Sequence, residues 1–330
     1  MANCVKCGLP DTYQGIKLDE NQVCNYCHFF EEHKEELTNW DALEEQFVRE
    51  VEAAKEKARA VGAKYDCITG VSGGKDGAYI TYMLRHKYGM RVLTYTLDSG
   101  FSTDFGKNNI RILQDKLDVD HIRVTVRESD LRKMYTACMK LMHNFCGVCF
   151  HLCHYYSHLL ASHYNIPLIV NGRTRGQILQ SVADTKKIEP FEISRDLQSF
   201  EYQMFPRLVD KLAARKTVDY LPGTEVTSLS YFMYHNVTDE EKMAFLAEKV
   251  GWKKPENTIP HPDCWAHPLA EKFSIEKYGY PVRTGELSEM VREGEITAEE
   301  AISERQKDHV RYETVDSELE ARFYERIRVR

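Results

Sequence analysis

The sequence predicts a doubly wound α/β protein: a parallel sheet with helices on both faces, a zinc knuckle at the N-terminus and a helical region at the C-terminus. Three observations lead there. From residue 65 to about 178, short apolar runs alternate with helical segments, the pattern of successive βα units. The first of those runs ends in a glycine-rich turn, "VSGGKDG" at 71–77. Two Cys-x-x-Cys pairs stand ahead of any periodic segment.

The elements follow in order. Cys4, Cys7, Cys24 and Cys27 read C-x2-C-x16-C-x2-C, and four thiolates from two knuckles close a tetrahedral zinc site. Such a site has no open position, so its role is structural, and it is expected to occupy residues 1–35. "NWDALEEQFVREVEAAKEKARAVG" (39–62) carries apolar residues at helical spacing behind an Asn start, the mark of an amphipathic helix. Then come a strand at "YDCITGV", a helix over 76–88, a strand at "RVLTYTLDSG", a helix at "FGKNNIRILQDKLD" and a strand at "DHIRVTV". Two helices, "SDLRKMYTACMKLMHNF" and "CHYYSHLLASHY", precede a buried-type strand, "IPLIVNG". This α/β unit is expected over 36–178. The remainder, 179–330, is polar and helical with few strand signals, and is expected to supply substrate contacts or a dimer interface. Its aromatic-rich stretch from residue 199 to 235 is a candidate pocket lining. The terminal "ELEARFYERIRVR" reads as an amphipathic helix that docks on a second subunit, which makes a homodimer the expected assembly.

Composition narrows the function. The formal charge of −7 argues against a large nucleic-acid footprint, since phosphate binding calls for a basic surplus. The favoured substrate is therefore a small molecule. The N-terminus lacks a basic start followed by an apolar run, and nothing approaches the length of a membrane span. The expected location is the cytoplasm. Ten cysteines in such a chain point to metal or sulfur chemistry rather than to disulfides.

The glycine turn explains itself by what it exposes. Gly70, Ser72, Gly73, Gly74 and Gly77 lie between a strand and its helix. Glycines admit positive φ and close approach, while free N–H groups and the helix dipole favour an anion. The C-terminal edge of the first strand is where such sheets bind ligands. Neither the Walker A spacing nor the dinucleotide G-x-G-x-x-G is present.

"SGGKDG" instead resembles the SGGxDS loop of the PP-loop ATP pyrophosphatase superfamily, with Gly77 where that family usually has serine. The resemblance implies a HUP-like Rossmannoid fold that binds MgATP, cleaves it between the α- and β-phosphates and adenylates a substrate oxygen. It implies that Ser72, Gly73, Gly74 and Lys75 hold the pyrophosphate with Gly77 in the same cradle, and that Asp76 sits near Mg²⁺. "TLDSGF" ends the second strand where the superfamily contacts adenosine, which makes Leu97 and Asp98 candidates. "VNGRTRGQ" ends a later strand where the family places a turn near the α-phosphate, so Gly172, Arg173 and Arg175 are candidates to steady charge as pyrophosphate leaves. For Arg175 a solvated surface position is the favoured reading.

A second set of cysteines carries different chemistry. Cys146 and Cys149 form a CxxC, and Cys264 lies far along the chain in "IPHPDCWAHP". Cys67 and Cys138 read as core residues, as does Cys153. Four meanings stay open for the trio: a [4Fe–4S] cluster with one iron left free; a persulfide relay; a second zinc with His151, His154, His261 or His267; or a structural CxxC unrelated to Cys264.

"CVKCGLPDTYQGIKLDENQVCNYC", "EKVGWKKPEN" and "VREGEITAEEAI" are similar to segments of the N-acetyl sugar amidotransferase branch of the PP-loop enzymes. The CxxC with a later lone cysteine is similar to the tRNA thiolases. What the two branches imply shares a first half, adenylation of a carbonyl oxygen by ATP. If sulfur then displaces AMP, a sulfur donor such as a cysteine desulfurase is implied, with a nucleobase-like substrate. If ammonia does, the partner is a glutaminase and the product an amidine on a nucleotide sugar. The trio, with Lys75 and Asp76 as catalytic candidates, favours thiolation over the sugar route, and the acidic balance favours a small molecule over a tRNA substrate.

Overall fold

The computed structural model describes residues 2–179, 226–253 and 261–328. Five parallel strands form one sheet in the order β3-β2-β1-β4-β5: β1 Cys67–Gly70, β2 Val92–Asp98, β3 Asp120–Thr125, β4 Leu168–Asn171 and β5 Thr227–Ser230. Cys67 pairs with Val92 on one side and with Leu168 on the other. The chain builds outward from β1 to β3, then crosses to the far side of β1 to add β4 and β5. The β1/β4 boundary is thus the topological switch point, the crevice where open α/β sheets bind ligands at the carboxyl ends of their strands.

Both faces of the sheet are covered, so strand residues of both parities are apolar. Cys67, Val92, Leu168 and Val170 face one core, with Phe47, Val51 and Ala54 of α3 (Trp40–Ala60) and Ile80 of α4 (Lys75–Tyr82). Ile68, Leu93, Tyr95 and Ile169 face the other, with Ala161 of α7 (Cys146–His163). Leu43, Phe47, Val51, Ala54 and Ala58 form the buried stripe of α3, at the i, i+4 spacing of an amphipathic helix. Ile110, Leu113 and Leu117 of α5 (Asp104–Leu117) join the first core, and α6 (Glu128–Met142) packs with α7 in a cluster of its own.

The fifth strand lies in the region expected to be helical with few strand signals. Thr227–Ser230 is short and half hydroxylic, so it carries little strand signal, but pairing with β4 from Leu168↔Thr227 to Asn171↔Ser230 fixes it. The sheet therefore draws a strand from beyond residue 178. Most of the aromatic-rich stretch from residue 199 lies outside the described residues; of its end, Tyr231, Phe232 and Tyr234 are buried in the core.

The N-terminal residues fold around their cysteines into α1 (Asn25–Glu32) and α2 (Lys34–Thr38). C-terminal helices α9 (Asp239–Lys249), α10 (His267–Tyr278), α11 (Thr284–Arg292), α12 (Ala298–Glu313) and α13 (Ser317–Ile327) complete the described chain; the short α8 (Arg175–Leu179) follows β4. The apolar face of α13, expected at a subunit contact, is used within the chain. Phe323 and Ile327 are buried, Thr136 of α6 donates to the Ile327 carbonyl at 2.8 Å, and Arg326 pairs with Glu128. No helix among the described residues is long and apolar enough to cross a membrane.

Candidate active site

The turn after β1 is shaped by backbone contact. Gly73 has φ +92°, and a Cβ there would lie 2.2 Å from the Gly106 carbonyl oxygen, so only glycine fits. Two donors clamp its carbonyl: Asn109 Nδ2 at 3.1 Å and Trp252 Nε1 at 3.1 Å. Gly74 is the N-cap of α4 with no side-chain cap, which leaves the first N–H groups of that helix for an anion. Gly77 accounts for the missing serine. A Cβ there would meet the Gly70 carbonyl oxygen at 2.7 Å and Val71 Cα at 3.2 Å. The position acts through backbone packing.

Four charged groups cluster beside the turn. Lys75 Nζ lies 3.1 Å from Asp76 and 3.3 Å from Asp239. Lys242 Nζ lies 2.7 Å from Asp76 Oδ1 and 2.7 Å from Asp239 Oδ1, and it stands over the Phe232 ring at 4.4 Å. Burial alone would raise the Asp76 carboxyl, but Lys75 and Lys242 outweigh it and hold it below the usual range. Burial likewise opposes the Lys75 ammonium, and Asp76 and Asp239 overcome it and keep it charged. Gly172 adjoins the cluster: a Cβ there would lie 3.5 Å from Asp76 Cβ.

The other nucleotide candidates fall into two groups. Asp98 ends β2 but is already engaged, accepting from Arg123 at 2.6 Å and from the Gly100 N–H at 3.1 Å; Leu97 beside it is buried. Arg173 stacks over Phe150 of α7 at 4.9 Å and donates to the Gln177 carbonyl at 3.2 Å. Arg175 corrects the surface reading. It is buried, stacks on Trp40 at 4.7 Å, pairs with Glu293, and donates to the Leu37 and Met233 carbonyls at 2.9 and 3.2 Å. Its guanidinium is a structural clamp of the core.

The fold brings the three distant cysteines into one neighbourhood next to this turn. Cys146 and Cys149 occupy the first turn of α7. The segment from 261 to 265 runs antiparallel along 101–103, with a Ser102↔Cys264 bridge and bonds from the Trp265 N–H to the Phe101 carbonyl at 2.9 Å and from the Thr103 N–H to the Asp263 carbonyl at 3.0 Å. Asp263 reaches the glycine turn, its Oδ1 3.6 Å from where a Gly74 Cβ would stand. Cys264 is the next residue. Tyr135 links the trio electrostatically, and its hydroxyl lies 3.0 Å from Cys149 Sγ and donates to the Ser99 carbonyl at 3.2 Å.

The surroundings of the trio are aromatic: Phe101, Tyr135, Phe145 and Trp265 pack together. Burial, then Cys149, pushes the Cys264 thiol up to about 12. Burial also raises Cys149, with Tyr135 and Ser99 pulling the other way. Cys146 is solvent-exposed, which sets its access; desolvation by nearby chain and then Cys149 and Cys264 still raise its thiol. Cys67 and Cys138 are buried core residues, as their sequence positions suggest. Cys153 is half-buried; its carbonyl accepts from Tyr95.

The N-terminal cysteines form a metal-type site. Cys4 and Cys27 Sγ are 3.8 Å apart and Cys7 and Cys24 Sγ 3.6 Å, close to the ~3.8 Å edge of a tetrahedron with metal–sulfur bonds of about 2.3 Å. All four are buried. Among the described residues, this is the group of three or more His, Cys, Asp or Glu whose ligand atoms all lie within 4.8 Å. The trio with its nearby histidines is looser, which removes geometric support for a second single-ion site. Sequence reasoning missed Lys242, Asp239, Asn109, Trp252 and Asp263. Lys242 stands 166 positions from Asp76, and no local motif marks it.

No family model matches the sequence, and no curated protein is detectably similar to it. Among solved structures, the chain is similar to the U34-tRNA thiolase NcsA from Methanococcus maripaludis with its [4Fe–4S] cluster, at 16% identity and a TM-score of 0.38 over 92% of this chain and 89% of that one. It is similar to NMN synthetase from Francisella tularensis, at 16% identity and a TM-score of 0.34 over 66% and 89%. It is also similar to an NH3-dependent NAD synthetase from Campylobacter jejuni, at 13% identity and a TM-score of 0.37 over 88% and 93%. Likenesses at this level leave the chemistry to be read from the residues themselves.

Proposed function

We propose that the protein is an ATP-dependent sulfur-transfer enzyme acting on a carbonyl of a small, nucleobase-like substrate. One observation carries the reading: the 261–265 segment lies along 101–103, so Cys264 follows Asp263 at the glycine turn, and its thiol interacts electrostatically with Cys146 and Cys149. Anion cradle and sulfur centre share one wall.

The turn at Ser72, Gly73 and Gly74 with Lys75 would receive the β- and γ-phosphates, and Asp76 would hold Mg²⁺. Leu97 and Asp98 would contact the adenosine, and Gly172 and Arg173 the α-phosphate. The substrate oxygen attacks the α-phosphorus, the bond to the β-phosphate oxygen breaks, and pyrophosphate leaves into the cradle. This turns an inert carbonyl oxygen into AMP, a good leaving group, which sulfur then displaces. Preorganised N–H groups and ammonium ions favour that step because they face the departing charge before it forms.

For the sulfur centre, an iron–sulfur cluster fits better than a free nucleophilic thiolate. Reactive thiolates need an electropositive setting, whereas Cys149 and Cys264 lie in an aromatic one that raises their thiols. Cluster ligation supplies the missing positive charge, and thiolates on separate irons stand farther apart than ligands of one ion. Cys146, Cys149 and Cys264 would hold a [4Fe–4S] cluster whose free iron supplies a binding place for sulfide. The knuckle of Cys4, Cys7, Cys24 and Cys27 would hold zinc.

The test is ATP labelled at its α-phosphate, incubated anaerobically with Mg²⁺, sulfide and a panel of lactam-bearing nucleobases and nucleosides. The reading predicts labelled AMP in step with a thiolated product. Labelled ADP would overturn pyrophosphatase chemistry, and turnover with ammonia but not sulfide would overturn the sulfur assignment.

A further inference from the structure

The four charges beside the phosphate turn are arranged as an alternating square, each ammonium bridging both carboxylates at 2.7–3.3 Å. In that state the square is neutral. A pyrophosphate group bound by backbone N–H groups alone would meet no net positive charge there. The corners also differ in depth: the Lys242 side chain is 5% exposed and that of Asp239 52%. Burying an ammonium is costly unless it is paired. A purely structural pair would have been satisfied by Asp76 alone, and the exposed Asp239 adds a second, removable partner.

We propose that Lys242 is a second phosphate-binding cation of this site and that Asp239 is its gate, a carboxylate that holds both lysines until a magnesium-bound polyphosphate displaces it. This rests on the nucleotide reading above and deepens it. Asp76 turns to the metal ion, Asp239 is released toward water, and two ammonium ions remain for the phosphate oxygens. Lys242 comes from α9 and Lys75 from α4, so the phosphates are held from two elements. No bond is made or broken in the exchange; ion pairs are traded.

The experiment is calorimetric titration of inorganic pyrophosphate with Mg²⁺ into wild type, Lys242→Gln, Lys242→Arg and Asp239→Asn, with thermal unfolding of each. A charge-assisted contact of ordinary strength is worth about tenfold or more in affinity. Lys242→Gln is expected to weaken binding by about that factor, and Lys242→Arg to restore most of it. Asp239→Asn is expected to tighten binding several-fold, since the gate is gone. A purely structural role predicts the opposite sign for Asp239→Asn. Weakening by Asp239→Asn, or unchanged affinity in a folded Lys242→Gln, overturns the proposal. Should Lys242→Gln fail to fold, the exposed Asp239 decides alone. Wild type that binds neither pyrophosphate nor ATP would overturn the nucleotide reading itself, a different outcome from variants that bind like wild type.

Discussion

Gly77 shows how a single position changes meaning once its neighbours are known. From sequence it is a missing hydroxyl; in the fold it is the only residue that lets α4 start against the Gly70 carbonyl. Gly77→Ser is therefore expected to lose stability rather than to gain a phosphate contact. Overpacking of this kind costs about 1–3 kcal/mol, and denaturant unfolding with ATP titration reads both effects. Unchanged stability with tighter ATP binding would contradict it. The glycine turn was legible because its demands are local, carried by backbone geometry within a few residues. Lys242 and Asp239 were not, because a salt-bridge partner supplied from another helix has no spacing to read. Arg175 was misjudged for the same reason: nothing near it in sequence announces Trp40, Glu293 or the two carbonyls it clamps.

At the scale of elements, α10 carries a pH dependence. Glu271 is buried, and burial raises its carboxyl to about 7. Its Oε2 accepts from the Val282 N–H at 2.7 Å. His267 faces it at 3.3 Å; desolvation, then His261, lowers that imidazole to about 3, so the pair is neutral rather than ionic. Asp308 and Glu286 raise Glu271 further, and Arg283 opposes them. The folded carboxyl binds its proton more tightly than the unfolded one. Its contribution is complete below about pH 4.5 and is lost as pH rises through about 7, roughly 3 kcal/mol in all. Glu271→Gln should flatten stability over that window, measured by urea unfolding at a series of pH values; an unchanged slope would contradict the assignment. The strands and helices of the sheet were legible in the sequence because both faces are covered, leaving dense apolar runs. β5 was not, because Thr227–Ser230 owes its conformation to β4.

For the whole molecule, the N-terminal residues are tied to the C-terminal helices. Arg305 of α12 donates to the Gly8 carbonyl at 2.6 Å and to Asn3 Oδ1 at 2.9 Å. The side chain of Arg292 of α11 is buried near Cys7 and Cys27, and although burial opposes its charge, Glu289 and those thiols keep it protonated. The knuckle thus docks through cations suited to a four-thiolate site, next to the helices whose Glu293 holds Arg175. The knuckle was legible from spacing alone. The convergence of Cys264 on the CxxC has no spacing to announce it, since 115 positions separate Cys149 from Cys264; what the fold supplies is the pairing of Cys264 with Ser102. That convergence is the central claim, and the most direct test is iron, zinc and acid-labile sulfide analysis of anaerobically purified wild type and Cys264→Ala. The account predicts iron and sulfide in equal amounts in wild type, both lost in Cys264→Ala, with the knuckle's zinc retained in each. Zinc alone in both proteins would contradict it.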